Sequence, residues 1–253
     1  MLEGKTIAVV VPAYNEERLV ARAVAQIPTF VDHVIVVDDA STDGTVAALA
    51  AVSSRPGYEL LRHAENRGVG GAIVTGYERS LQLSADVAVV MAGDAQMDPA
   101  DLPRLVAPVV AGDADYAKGD RLSWPGVFRA MPLARFLGNH AFTWLTRFSS
   151  GYRDVRDSQC GYTAIGRGAL ARLDLASVHT RYGYPNDLLA HLRALGARLA
   201  QVPVRPIYGE EVSGISWFTA LIRVPLVLAR SFLRRKALAA KNRSIVLEPA
   251  RRV

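Results

Sequence analysis

The 253-residue sequence predicts an α/β protein built on an open, mostly parallel sheet flanked by helices, followed by a basic, amphipathic helical tail. Three observations point to this fold class. Short Val/Ile-rich runs alternate with helical patterns through the first hundred residues. These runs are continuously apolar rather than alternating, as parallel strands buried on both faces require. The polar residues cluster just after the runs, at the strand ends where ligands of such sheets gather.

Taken in order, KTIAVVVPA reads as a strand, and EERLVARAVAQIP as a helix with Leu19, Val20, Ala23, Val24 and Ile27 at helical spacing. HVIVVDDAS (strand), DGTVAALAAV (helix), YELLRHA (strand), GVGGAIVTGYERSLQL (helix) and DVAVVMAGD (strand) complete a βαβαβαβ series. Further on, ADLPRLVAPVVAG reads as a helix and ADYAKGDRL as a strand, and residues 123–150 as a long, partly amphipathic segment. DSQCGYTAIG is a strand or turn, GYPNDLLAHLRALG a helix and ARLAQVPVRPIY a strand. No repeat or low-complexity linker divides the chain, so the expectation is one domain over residues 1–210 and a tail over 211–253.

Half of the residues are hydrophobic and 21% are charged, an ordinary globular balance. The single cysteine, Cys160, leaves no internal disulfide framework and suits a reducing compartment. The N-terminus lacks a signal peptide's basic start and cleavage site, so the expected location is cytoplasmic. The net charge of +6 is uneven: residues 205–253 carry ten Lys/Arg and three Asp/Glu, and the first 204 residues twenty and twenty-one.

Four strand ends carry polar groups: Pro12-Ala13-Tyr14-Asn15-Glu16, then Asp38, Asp39, Ser41, Thr42 and Asp43, then Asn66-Arg67-Gly68, and last Asp94-Ala95-Gln96. One cluster is ordinary turn chemistry; four on one edge suggest a composite site. Asp94 and Gln96 are hard oxygen donors two residues apart, suited to Mg2+ or Mn2+, which bind one or two carboxylates plus substrate phosphates. The competing reading makes Asp94 a cap for the helix near Pro99 or a residue that shapes a turn. Asp38 and Asp39 suit base N–H groups or ribose hydroxyls, while Asp43 or Thr42 can cap the helix that follows. NRGVGGA matches neither G-x-x-x-x-G-K-S/T nor G-x-G-x-x-G and reads as close backbone approach.

The stretches VVVPAYNEE (9–17), VVDDASTDGT (36–45), NRGVGGAIVTGY (66–77), VVMAGDAQMDP (89–99), ADYAKGDR (114–121) and DSQCGYTAI (157–165) together resemble a family-2 glycosyltransferase of the GT-A fold. The enzymes that charge a polyprenyl or dolichyl phosphate with mannose or glucose are the nearest kind. The resemblance implies a nucleotide-diphosphate sugar donor, UDP-glucose or GDP-mannose, held by Pro12, Ala13, Tyr14, Asn15, Glu16, Asp38, Asp39, Asn66, Gly68, Asp94 and Ala95. Asp39 would lie near the base, and Asp94 with Gln96 would hold Mg2+ or Mn2+ on the diphosphate. Arg121 matches an arginine placed near phosphate, with Arg135 and Arg205 as helpers for the acceptor phosphate. The family usually writes D-x-D where this chain has Ala92-Gly93-Asp94, so the first acid is missing. A saccharide hydroxyl acceptor would instead need a carboxylate base, and Asp187 is the best-placed candidate; the competing reading makes it a helix N-terminal residue favoured by the dipole.

In the tail, GISWFTALIRVPLVLARSFLRRK (214–236) is too interrupted by Arg223 and Arg230 to span a bilayer. Arg223, Arg230 and Arg234 share one helical face, and Trp217, Leu221, Val224 and Leu228 can form an apolar one, kinked at Pro225. This describes an interfacial helix on anionic membrane, strengthened by Arg234-Arg235-Lys236; the alternative is an oligomer contact with a basic rim. The expected enzyme is peripheral on the inner face of the cell membrane, a possible homo-oligomer with no nucleic-acid partner. Two other classes compete. A sugar-1-phosphate nucleotidyltransferase would need a glycine-rich N-terminal loop, which VVVPAYNEE lacks, and a membrane-recruited module without activity draws support from Ala92.

Overall fold

In a computed structural model, residues 1–181, 183–207, 226–230, 232, 233 and 236 are described. The boundary placed after residue 210, and Trp217, Leu221, Arg223, Val224, Pro225, Arg234 and Arg235, lie outside the described residues.

The apolar runs become β1 (Ile7–Ala13), β2 (His33–Asp38), β3 (Tyr58–Arg62) and β4 (Val87–Val90), each parallel to its neighbour. Alternate residues of β1 serve two cores. Ala8 and Val10 pack with α3 (Val69–Gln82) and α8 (Tyr184–Ala194) on one face. Ile7, Val9 and Val11 pack with α1 (Val20–Ala25), α2 (Thr45–Leu49) and α4 (Leu102–Val110) on the other. Each fully buried Val or Ile contributes about 1.5–3 kcal/mol, which is why no polar residue interrupts β1, β2 or β4 before their ends. α1 is shorter than its sequence pattern: Leu19 N–H and Val20 N–H both bond to the Glu16 carbonyl, so residues 16–19 turn before the helix starts.

The second half departs from a simple parallel series. β5 (Tyr116–Asp120) and β7 (Leu199–Pro203) are parallel, but β6 (Thr163–Gly166) runs antiparallel between β4 and β5, giving the order β3-β2-β1-β4-β6-β5-β7. Thr163 pairs with both Val90 and Lys118, so the segment entering β6, residues 157–162, arrives at the same edge where β1, β2 and β4 end.

Residues 123–150 form the short α5 (Val127–Ala130) and the long α6 (Leu133–Ser150). α6 packs on α8 with Thr143, Thr146, Ser149 and Ser150 facing inward, all buried, and it leaves Leu133, Leu137, Trp144 and Phe148 in solvent. α7 (Arg167–Leu170) follows β6 directly. Of the tail, residues 226–230 are helical. Val227 and Leu228 are buried, and Phe232 stacks on Phe148 with centroids 5.2 Å apart. Among the described residues no helix is long and apolar enough to cross a membrane.

Candidate active site

The loops after β1 and β2 are stitched to each other. The Ala13 carbonyl accepts from Asp39 N–H at 2.9 Å, Asn15 N–H donates to Ser41 Oγ at 3.0 Å, and Asn15 Oδ1 accepts from Thr42 N–H at 2.9 Å. Glu16 N–H donates to Thr45 Oγ1 at 2.8 Å, and the Glu17 carboxylate accepts from Gly44 N–H at 2.8 Å. Asp43 accepts from both N–H and Oγ1 of Thr45, so of the two capping candidates it is Asp43 that serves the start of α2. Tyr14 projects outward, 46% exposed. Asn15, Ala40 and Ala95 take positive φ angles of 56°, 62° and 57°, all at this edge of the sheet. Such backbone costs about 1–3 kcal/mol per residue and collects at functional sites.

The strand-end acids have partners within the chain. Asp38 is fully buried, accepting from Ser41 N–H at 3.3 Å and Arg62 Nε at 3.4 Å. Asp39, also buried, accepts from Arg67 N–H at 2.8 Å and Gly68 N–H at 2.7 Å, with His63 Nδ1 at 2.7 Å. Its role in this structure is to fasten the glycine loop, and Asn66 Nδ2 adds a bond to its carbonyl at 3.3 Å. The close approach expected of NRGVGGA is to the chain itself. A Cβ on Gly68 would fall 2.5 Å from the Thr180 carbonyl oxygen, and one on Gly70 2.4 Å from that of His179.

At the end of β4, Asp94 Oδ1 accepts from Gln96 N–H at 3.0 Å, closing a tight turn through Ala95. The helix cap once open to Asp94 is made by Asp98, which accepts from Ala100 N–H at 3.0 Å. Asp94 and Gln96 are half-buried, and Asp94 is felt by Glu16 across the loops. Burial first, then the charges of Asp94 and Asp43, push the Glu16 carboxyl up to about 7. The electronegative groups therefore converge where a cation would relieve them. Among the described residues no three His, Cys, Asp or Glu side chains form a complete metal cage. Mg2+ and Mn2+ bind through one or two carboxylates, with their remaining ligands from substrate phosphates and water. The residues present fit such an ion with Asp94 as its carboxylate and Gln96 beside it.

Arg121, just past β5, is held by Asp157. Its Nε and Nη2 donate at 2.7 and 3.0 Å to the two carboxylate oxygens, and its N–H at 3.2 Å. Gln159 N–H and Cys160 N–H, both at 3.1 Å, complete the shell of this fully buried acid. Burial raises the Asp157 pKa, but the Arg121 guanidinium and then Lys118 outweigh it and hold the carboxyl below its usual range. Lys118 is itself buried, with its ammonium donating to the Cys160 carbonyl and its pKa lowered by burial. Sequence reasoning missed Asp157 and Lys118, although both stand within stretches that carried the resemblance.

The remaining candidates are dispersed. Asp187 is buried in the first turn of α8, where its carboxylate accepts from His179 N–H at 2.9 Å and lies 3.5 Å from His191 Nε2. Arg205 lies at the helical turn that follows Asp98, its Nη1 3.8 Å from Asp98 and its N–H bonded to Asp101 at 2.7 Å. Arg135 lies half-buried on α6. A cavity of about 460 Å3 at the opposite edge of the sheet, lined by Lys5, Asp86, Arg167, Arg172 and Arg198, receives none of these loops.

Comparison with known proteins agrees with this geometry. The family model "Glycosyl transferase family 2" matches residues 8–174. The chain is 30% identical over 223 residues to a UDP-N-acetylglucosamine–dolichyl-phosphate N-acetylglucosaminyltransferase of Methanococcus voltae, covering 83% of this chain and 88% of that protein. It is 31% identical over 215 residues to a polyprenol monophosphomannose synthase of Mycolicibacterium smegmatis, covering 82% and 79%. In fold it is similar to a Mycobacterium tuberculosis glucosyl-3-phosphoglycerate synthase solved with Mn2+, UDP-glucose and phosphoglyceric acid. The TM-score is 0.70 at 24% identity, over 90% of this chain and 80% of that one. The matched family spans the strand-end loops, the Asp94 turn and the Asp157 segment, and the chain accordingly belongs to glycosyl transferase family 2, as a GT-A glycosyltransferase related to the dolichyl- and polyprenyl-phosphate enzymes.

Proposed function

We propose that this glycosyltransferase moves a hexose from UDP-glucose or GDP-mannose to a polyprenyl phosphate at the inner face of a membrane, with Mg2+ or Mn2+ on the donor diphosphate. The observation that carries the lipid acceptor is the outer face of α6. Leu133, Leu137, Trp144 and Phe148 form one exposed apolar stripe, with Phe128 exposed just before it. Large exposed apolar patches mark contact with a membrane or partner. Residues 122–153 contain no Asp or Glu but include Arg129, Arg135, Arg147 and Arg153. Aliphatics and aromatics flanked by arginine suit a helix lying in an anionic headgroup layer. The described tail residues extend the same surface through the exposed Leu226, Arg230 and Leu233.

In this reading the strand-end loops after β1, β2 and β3 bind the nucleotide, and Asp94 and Gln96 hold the ion. The bound cation supplies Lewis-acid stabilisation of the charge that grows on the leaving diphosphate. Arg121, fixed by Asp157, steers the acceptor phosphate toward the anomeric carbon, with Arg135 and Arg205 as further basic groups. A phosphate oxygen is already anionic near neutral pH, so attack needs orientation rather than a base. Asp187, turned toward His179 N–H, is not required as one.

The test is transfer of label from UDP-glucose and from GDP-mannose to polyprenyl phosphate in anionic vesicles, with co-sedimentation measured in parallel. Trp144→Glu with Phe148→Glu is expected to abolish sedimentation and lipid transfer while leaving donor binding intact. Wild-type protein that ignores vesicles at low salt, or that glycosylates only a soluble saccharide, overturns the reading. Asp187→Asn is expected to retain transfer; its loss would favour a hydroxyl acceptor with Asp187 as base.

A further inference from the structure

Asp157 has no solvent exposure from which to meet a substrate, yet it gathers five donors. The segment that carries it is bolted to the inner face of α6. Ser158 N–H donates to Thr143 Oγ1 at 3.0 Å, and the two hydroxyls lie 3.3 Å apart. Arg147 Nε donates to the Val155 carbonyl at 2.6 Å. Thr146 Oγ1 donates to Asn186 Oδ1 at 2.9 Å, and Gln159 Nε2 reaches the same oxygen at 3.4 Å. On the other side, Lys118 grips the Cys160 carbonyl, and Gly119 N–H donates to the Tyr162 carbonyl at 2.8 Å. The segment 155–162 thus bridges the helix with the apolar stripe and β5, the strand that ends just before Arg121.

We propose that Asp157 is the positioning residue for Arg121, and that the Thr143–Ser158 contact sets the height of that arginine relative to the face α6 presents. The inference rests on the reading of Arg121 as the acceptor-phosphate residue. An arginine held by a bidentate carboxylate keeps its plane and direction, which a lone flexible side chain would lose. A polyprenyl phosphate presents its charged group at a fixed depth in the headgroup layer. A strut from the membrane-facing helix to the arginine matches the two heights before the acceptor arrives, so less ordering is left to the moment of binding.

The experiment compares donor KM and acceptor KM in Asp157→Asn and Thr143→Val, using polyprenyl phosphate in anionic vesicles. Asp157→Asn is expected to raise the acceptor KM about tenfold or more, the loss of one charge-assisted anchor, with the donor KM within about twofold. Thr143→Val, which keeps the shape and removes the hydroxyl, is expected to raise acceptor KM about threefold in the same direction. A purely structural role would lower the folded fraction or kcat without separating the two KM values. Should Asp157→Asn not accumulate as folded protein, Thr143→Val decides alone. In any folded variant, KM values that move together or stay unchanged overturn the proposal. Wild-type enzyme inactive on polyprenyl phosphate would instead overturn the acceptor assignment, so the two failures are distinct.

Discussion

Gly76→Ala sets two effects of opposite sign against each other. Gly76 lies inside α3, where replacing glycine by alanine favours the helix by about 1 kcal/mol. On propensity alone the variant is more stable. The packing says otherwise: a Cβ at this position falls 2.1 Å from Val10 Cγ1, 2.8 Å from Cγ2 and 3.0 Å from Cβ. Ordinary carbon contacts sit near 3.5–4.0 Å, so the overlap with Cγ1 is about 1.5 Å. Rotating Val10 about χ1 does not clear it, because the other methyl and Cβ itself are too close. Val10 is fully buried and paired to Ile35 and Val90, so the strand has no direction in which to yield. α3 must lift from β1, taking Ala72, Ile73 and Tyr77 partly out of the same core. Overpacking of this kind costs about 1–3 kcal/mol, and a gap of 0.5–1 Å forfeits a quarter to a half of each lost contact. We expect a net loss of about 2 kcal/mol, lowering Tm by about 4–8 °C for a chain of this size. Thermal and urea unfolding followed by circular dichroism measures it. Combined with Val10→Ala, which empties the space, the added methyl should recover part of the loss as a coupling of about 1 kcal/mol or more. A Gly76→Ala protein as stable as wild type, or more so, would refute the argument that contact rather than propensity decides here.

Three further outcomes follow from the site. Asp94→Ala is expected to weaken Mn2+ binding in the presence of nucleoside diphosphate by about 10–100-fold, read by calorimetry, and to lower transfer at least as much; unchanged Mn2+ affinity would remove Asp94 from the ion. For Glu16, whose folded pKa of about 7 lies above the ordinary carboxyl value of 4.5, the folded state holds the proton more tightly between those limits, so stability falls as pH rises from about 4.5 to 7. Discounted for its half-exposed position, this amounts to about 1 kcal/mol, and Glu16→Gln should flatten the Tm-versus-pH curve across that window in EDTA; an unaltered slope would contradict the assignment. Asp39→Asn turns an amide toward N–H groups of Arg67 and Gly68 and should cost about 2–4 kcal/mol by chemical denaturation while exposing residues 66–70 to protease.

The strands were readable because Val/Ile runs of strand length recur between helical patterns, and the ends of β1, β2 and β4 gather on one edge of the sheet. What escaped the sequence was contact between distant segments. DSQCGYTAIG is open to strand or turn, and nothing local says that its strand runs against its neighbours. Asp157 stood inside DSQCG, but only the fold brings it to Arg121, thirty-six residues away. The amphipathic character of 123–150 was visible. Periodicity tells which residues share a face, not which face is covered, and in α6 the buried side is the one with the threonines and serines. Likewise Asp98 rather than Asp94 caps the turn at Pro99, a choice of neighbours that composition does not make.

The glycine loop also bears on how the chain is made. Gly68 and Gly70 lie against the backbone of His179 and Thr180, and Gly71 N–H donates to the Thr180 carbonyl at 3.1 Å. At about 5–20 residues per second, a ribosome delivers Thr180 roughly 5–20 s after Gly70. The first three βα units therefore emerge early but wait, with this corner unlatched, for a stretch of backbone still to be synthesised.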